Sequence, residues 1–236
     1  MRLDKFLANQ NIGSRKAVGA LVKRGAVTVN GQAVKNADIH IDPESDEICV
    51  NGTRVDYAPH LYIMLHKPAG VLSASRDSRT PTVLDLLPEA LKRRGLFPAG
   101  RLDKDTTGLL IITDDGDFAH KMLAPKNGVE KRYEVHLDLP AGETDIACFA
   151  AGIAEGGDVF APAKLELDPA DACHGFVTLT EGKYHEVKRL FKSRGKTVTA
   201  LKRLSIGALL LDETLRPGEA KRLSAAEAEL VFGEKL

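Results

Sequence analysis

The chain has 236 residues, 43% hydrophobic and 5% aromatic, with no tryptophan and with cationic and acidic side chains in equal number. That length exceeds the usual single-domain mode of roughly 100–150 residues, so one large domain with a smaller companion is expected, on a core of Leu, Val, Ile and Ala. No run approaches the ~20 apolar residues of a membrane span, residues 1–5 lack the apolar stretch of a secretory signal, and Cys49, Cys148 and Cys173 are too scattered for a disulfide framework or a zinc knuckle. The expectation is a cytoplasmic monomer with reduced thiols, no metal, no cofactor and no membrane contact.

In chain order, Leu3, Phe6 and Leu7 recur at helical spacing, and Ser14 offers an N-cap to a second helix with an apolar stripe of Ala17, Leu21 and Val22, ended by Gly25. Lys16, Lys23 and Arg24 fall off that stripe. Residues 27–34 read as a hairpin around Asn30-Gly31, a strong turn signal. The polar, Pro-containing stretch that follows predicts a boundary: a first domain over 1–56, a linker over 57–61 and a second domain over 62–236. Beyond it, strands are expected over 62–65, 109–113, 133–137, 164–167 and 176–180. Helices are expected over 83–87, 117–123 and 185–194, the last closed by Gly195. Strands outnumber helices without alternating with them, so the predicted class is α+β: a small helical N-terminal domain plus a mixed, largely antiparallel sheet with flanking helices.

Zero net charge conceals two basic clusters. Residues 1–25 carry Arg2, Lys5, Arg15, Lys16, Lys23 and Arg24 against Asp4, and residues 182–203 carry Lys183, Lys188, Arg189, Lys192, Arg194, Lys196, Lys202 and Arg203 against Glu186. Residues 138–172 are acidic and balance the sum. Local arrangement, not the total, decides what a surface attracts, so a polyanion is the expected partner.

The loop Gly100-Arg101-Leu102-Asp103-Lys104-Asp105-Thr106-Thr107-Gly108 is polar, bracketed by glycines, and runs into an apolar strand. With Lys131-Arg132-Tyr133-Glu134-Val135 and the segment Glu181-Gly182-Lys183-Tyr184-His185-Glu186-Val187-Lys188-Arg189-Leu190, it resembles the motifs of the pseudouridine synthases, specifically the RsuA family that modifies ribosomal RNA. The stretches MRLDKFLA and VTVNGQAV are similar to the αL (S4-like) RNA-binding domain such enzymes carry at the N-terminus. The resemblance implies that Asp103 is the single catalytic carboxylate, that Lys188 is its counter-charge, and that Val187 lines the base pocket. It implies further that Tyr133 stacks on an extruded uracil and that Arg101 fills the space the base leaves. Arg2, Lys5, Arg15, Lys16, Lys23, Arg24, Lys183 and Arg189 would contact RNA. Glu186 departs from the glutamine common in the family and would add a negative charge near the RNA groove.

The implied reaction needs no cofactor: the glycosidic bond of a uridine breaks, the uracil turns over, and ring carbon five rejoins the anomeric carbon. A carboxylate can serve as nucleophile or as the base that removes a ribose proton, and both roles require it ionised. Dry surroundings would raise its pKa, and a cation within ~4 Å would oppose that. The implied substrate is ribosomal RNA or an assembly intermediate, 16S RNA by overall similarity, with 23S RNA as the alternative. Plain structural roles stay open for each residue: a turn cap for Asp103, an ion-pair partner of Asp103 for Arg101, a half-buried core ring for Tyr133, a surface cation for Lys188. A non-catalytic RNA-binding or ribosome-assembly protein also stays open. A calcium loop through Asp103, Asp105 and Thr107 fails at its twelfth position, where Asp114 stands in place of glutamate.

Overall fold

Helices α1 (Leu3–Asn9) and α2 (Arg15–Lys23) bury Leu3, Phe6, Leu7, Val18 and Val22 in one cluster with Val27, Ile41, Ile48 and Val50. The Ser14 hydroxyl caps α2 by accepting from the Ala17 backbone N–H at 3.2 Å. The buried stripe of α2 is displaced by one position from the sequence expectation: Val18 and Val22 point inward, and Ala17 is exposed. Strands β1 (Val27–Val29) and β2 (Gln32–Ala33) join through Asn30 and Gly31 at φ 51° and 78°, the left-handed pair that matches a tight hairpin. The same device recurs at Asn51-Gly52 between β3 (Ile48–Val50) and β4 (Thr53–Arg54), and the four strands order as β2-β1-β3-β4.

The structure, a computed structural model, describes residues 1–233 and divides into two units. The first is Met1–His60 with Pro88–Gly95, and the second is Leu61–Leu87 with the chain from Leu96 onward. Pro88–Gly95 lies outside the N-terminal domain read from the sequence. It joins the first unit by hydrogen bonds that a linear pattern cannot announce: the Asn11 amide donates to the Glu89 and Ala90 carbonyls at 3.1 and 2.9 Å, and Arg93 donates to the Ala58 and Pro59 carbonyls.

The second unit is built on β5 (Tyr62–Lys67), β6 (Phe97–Ala99), β7 (Thr107–Thr113), β8 (Lys131–Leu137), β9 (Ile153–Glu155), β10 (Asp158–Phe160), β11 (Lys164–Asp168), β12 (Asp171–Leu179), β13 (Val198–Ile206), β14 (Leu209–Leu210) and β15 (Ala220–Leu223). Helices α3 (Gly116–Leu123), α4 (Glu143–Ala151), α5 (Glu186–Ser193) and α6 (Ala225–Glu229) flank it. The main sheet runs β11-β12-β8-β13-β7-β5-β15, with β14 on β13 and β6 on β7. Its strand pairs are antiparallel except β7 with β13. The class is therefore α+β with a mixed, largely antiparallel sheet, as the pattern predicts. No described helix is long and apolar enough to cross a membrane.

Two further expectations change in the second unit. Residues 83–87 form hydrogen-bonded turns, not a helix, because Pro81 and Pro88 bracket a stretch too short to propagate one. Strand β13, read in the sequence as part of a basic surface cluster, is central to the sheet and buries Leu201, Arg203 and Ser205.

The one parallel pairing depends on a glycine. Gly108, at φ +103°, lies opposite Arg203, and a Cβ there would sit 2.2 Å from the Arg203 carbonyl oxygen. Gly108→Ala should therefore destabilise the protein by about 3 kcal/mol or more. A thermal unfolding curve within a degree of the wild type would refute this dependence.

Candidate active site

The parallel pairing sets the loop entering β7 beside α5, which leads into β13. The loop is fixed from below. Lys67, the last residue of β5, is fully buried, and its ammonium donates to the carbonyls of Asp103 at 3.0 Å, Lys104 at 3.2 Å, Thr106 at 2.9 Å and Pro68 at 3.0 Å. Burial lowers its pKa from 10.5 to about 8, opposed in part by Asp105 and Asp103. Ser73 adds a reciprocal pair, its hydroxyl donating to the Leu102 carbonyl at 2.8 Å and accepting the Leu102 N–H at 3.0 Å. Gly70 donates its N–H to the Lys104 carbonyl at 2.7 Å.

Held this way, the Asp103 carboxylate is one-quarter exposed and stands 3.0 Å from the Lys188 ammonium on α5. Lys188 also reaches Asp105 at 2.6 Å, and His185 Nε2 lies 3.5 Å from Asp103. Partial burial works against the charge on Lys188, but hydrogen bonds from it to Asp105 and Asp103 prevail and hold its pKa above the ordinary lysine value. The same ammonium keeps the Asp105 carboxyl below its usual range. The two loop carboxylates thus converge on an internal cation.

Asp103, Arg101, Tyr133, Val187 and Lys188 line one small cleft together with Leu102, Thr106 and His185. Tyr133 is only 8% exposed, and its hydroxyl accepts from Arg203 Nη1 at 3.4 Å. Val187 is buried beside it. Arg101 is exposed and forms no ion pair with Asp103 among the described residues. Sequence reasoning missed Lys67, Ser73 and His185. The trace of Lys67 in the sequence is a charged residue ending a largely apolar strand.

The cations assigned to RNA fare unequally. Lys5, Lys16, Lys23 and Arg24 are exposed, whereas Arg2 and Arg15 both engage Asp4, at 3.0 and 2.8 Å. Lys183 pairs with Glu181 at 2.9 Å, and Arg189 is clamped between Glu155 at 2.7 Å and Asp158 at 2.6 Å. Arg194 and Lys196 share Asp145, and Arg203 is buried. The acidic segment therefore neutralises much of the second cluster from within, which its spacing in the sequence does not disclose. Glu186 differs as well: it is buried rather than facing a groove, accepts the Lys183 N–H at 2.7 Å, and burial pushes its carboxyl up.

The family model for RNA pseudouridylate synthase matches residues 61–207, and that for the S4 domain matches residues 1–48. An RNA pseudouridine synthase of Bacillus subtilis, YtzG, is 48% identical over 98% of both chains. Ribosomal small subunit pseudouridine synthase A of Salmonella typhimurium is 40% identical over 96% of this chain and 98% of its own, and the Escherichia coli protein of that name is 39% identical over the same shares. A crystal structure of a pseudouridylate synthase superposes with TM-score 0.67 at 38% identity, covering 98% of this chain and 99% of the other. A sheet of this topology matched along its length makes the chain an RNA-modifying isomerase. It belongs to the RNA pseudouridylate synthase family, in the RsuA branch with an N-terminal S4 domain.

Replacing Lys67 by Met leaves loop carbonyls without their donor, and should lower stability by on the order of 3 kcal/mol and slow turnover at least tenfold. The pH dependence has a definite sign. The unfolded chain keeps this proton up to about 10.5 while the folded protein loses it near about 8, so between those values the unfolded state binds more protons. Stability of the wild type relative to Lys67→Met should rise with pH across that window, and denaturant titrations at pH 7.5 and 10 would measure it. A difference that falls with pH contradicts the assignment.

Proposed function

We propose that the chain converts one uridine of small-subunit (16S) ribosomal RNA to pseudouridine, with Asp103 as the reacting carboxylate. The observation that carries this reading is the 3.0 Å pair of Asp103 with Lys188 in a cleft shared with Tyr133 and Val187. The ammonium stands opposite the carboxylate, where its charge complements the anion that attack on the anomeric carbon or removal of a ribose proton requires. The reaction is an isomerisation: the C–N bond broken is replaced by a C–C bond to the same base, and the proton on ring carbon five is released as the glycosidic nitrogen gains one.

A uridine within folded RNA must leave its stack to meet Asp103, at a cost of a few kcal/mol. Tyr133 and Val187 offer the base an apolar wall, and unpaired Arg101 suits the space it vacates. The relatives named for the ribosomal small subunit, matched over nearly their full length, support 16S RNA as the substrate. In this reading residues 1–56 dock on RNA through Lys5, Lys16, Lys23 and Arg24, residues 57–61 link, and residues 62–236 convert the base. The same reading has the protein act as a monomer in the cytoplasm, where a ribosomal substrate is met.

Asp103→Asn should reduce pseudouridine formation by at least a thousandfold while RNA affinity stays within about twofold. Mapping pseudouridines in ribosomal RNA from cells lacking the protein should reveal one absent site in 16S RNA, restored by the wild type and not by Asp103→Asn. An absent site in 23S RNA would move the substrate, and an unchanged map would remove the assignment. Exchanging Lys16, Lys23 and Arg24 for Gln should flatten the dependence of log affinity on log salt by roughly 0.7–0.9 for each phosphate no longer neutralised. An unaltered slope would exclude this helix from docking.

A further inference from the structure

On the β8–β12 pair, alternate residues face away from the cleft. Tyr133 and Val135 are buried on the cleft side, so Glu134 and His136 project from the opposite face. His174 on β12 is the register partner of His136, and their rings stack at 4.6 Å, so a shared ion requires the exposed His136 ring to turn about its side-chain bonds. One ligand atom each from Glu134, His136 and His174 lie within 4.8 Å of one another. His174 Nε2 stands 3.2 Å from Glu134 Oε1, close to the edge of about 3.3 Å that two ligands of a tetrahedral zinc ion span at bond lengths of roughly 2.0 Å. Its other nitrogen, Nδ1, is 3.0 Å from Asp168 Oδ2. That is the outer carboxylate which, in metal sites, orients a ligating imidazole and raises its basicity.

We propose that Glu134, His136 and His174 bind a divalent transition metal of the zinc or nickel type, with Asp168 orienting His174. Two imidazoles and a carboxylate are ligands of this borderline class, and three protein ligands leave a fourth position for water. The ion takes the place of the proton between Nε2 and Oε1. On this face Arg132 and Lys164 both pair with Glu166, which leaves Glu134 and Asp168 beside Lys202, the register partner of Glu134. The metal staples β8 to β12 behind the cleft and is no part of the reaction.

The test is calorimetric titration of tag-free, chelator-stripped full-length protein with zinc and with nickel, alongside His136→Ala, Asp168→Asn and the wild type. One equivalent should bind the wild type and raise its unfolding temperature. His136→Ala, an exposed change, should lose that binding at least a hundredfold with the apo unfolding temperature kept, and Asp168→Asn should weaken it about 10–100-fold. No saturable uptake overturns the proposal, as does stoichiometric uptake that His136→Ala leaves intact. Pseudouridine formation by the stripped protein should be unaffected, which separates this site from the proposed role of Asp103.

Discussion

One buried ammonium governs the geometry of this molecule. Lys67 reaches four backbone carbonyls, three of them in the loop of Asp103, Lys104 and Thr106. Charge-assisted hydrogen bonds are roughly twice as strong as neutral ones, and a lysine presents only three protons, so the cage shares them among four acceptors. A neutral side chain could fill the space but could not draw those carbonyls inward. With the carbonyls turned toward Lys67, the Asp103 side chain is left to face Lys188 across the cleft. The buried cation thus sets the loop backbone, and the partly buried Lys188 sets where the carboxylate points.

The same division explains how the chain remains neutral overall yet suited to a polyanion. The acidic stretch between the motifs is spent internally: Asp145 binds Arg194 and Lys196, while Glu155 and Asp158 bind Arg189. These pairs brace α5, the helix that carries Lys188, against α4 and the β9–β10 hairpin. The exposed Arg189–Asp158 pair is worth more for position than for energy, whereas Asp145 is buried beneath its two cations. On α1 and α2 of the first unit, Lys5, Lys16, Lys23 and Arg24 keep exposed side chains that make no ion pair among the described residues.

Much of this was legible in the chain, for identifiable reasons. The Asn30-Gly31 hairpin, the apolar run of β7 and the alternation of β8 are local signals, and local physics reads them. Asp103 and Lys188 stood out through motif resemblance, as spacing alone left a turn cap and a surface lysine open. Strand β13 escaped because Arg203 sits at an inward position of its alternation, so the pattern looked like solvated charge. Lys67 and Glu186 escaped for the same cause: a charged letter suggests surface, and only tertiary contacts tell when burial is compensated. His136 and His174 are far apart in sequence and meet only through the β8–β12 register, which no ligand-spacing rule detects.

Burial without compensation marks the cleft more sharply still. Among the described residues, Thr106 Oγ1 and Arg203 Nη2 are buried without a hydrogen-bond partner. Orphans of this kind cost on the order of 1–3 kcal/mol each, and folded proteins hold few of them. Thr106 lines the cleft, and Arg203 adjoins it through Tyr133. A core assembled for stability alone would have placed Val or Leu at such positions. A polar guest in the cleft would recover that cost at Thr106, whereas Arg203, outside the lining, keeps its orphan whatever the cleft holds.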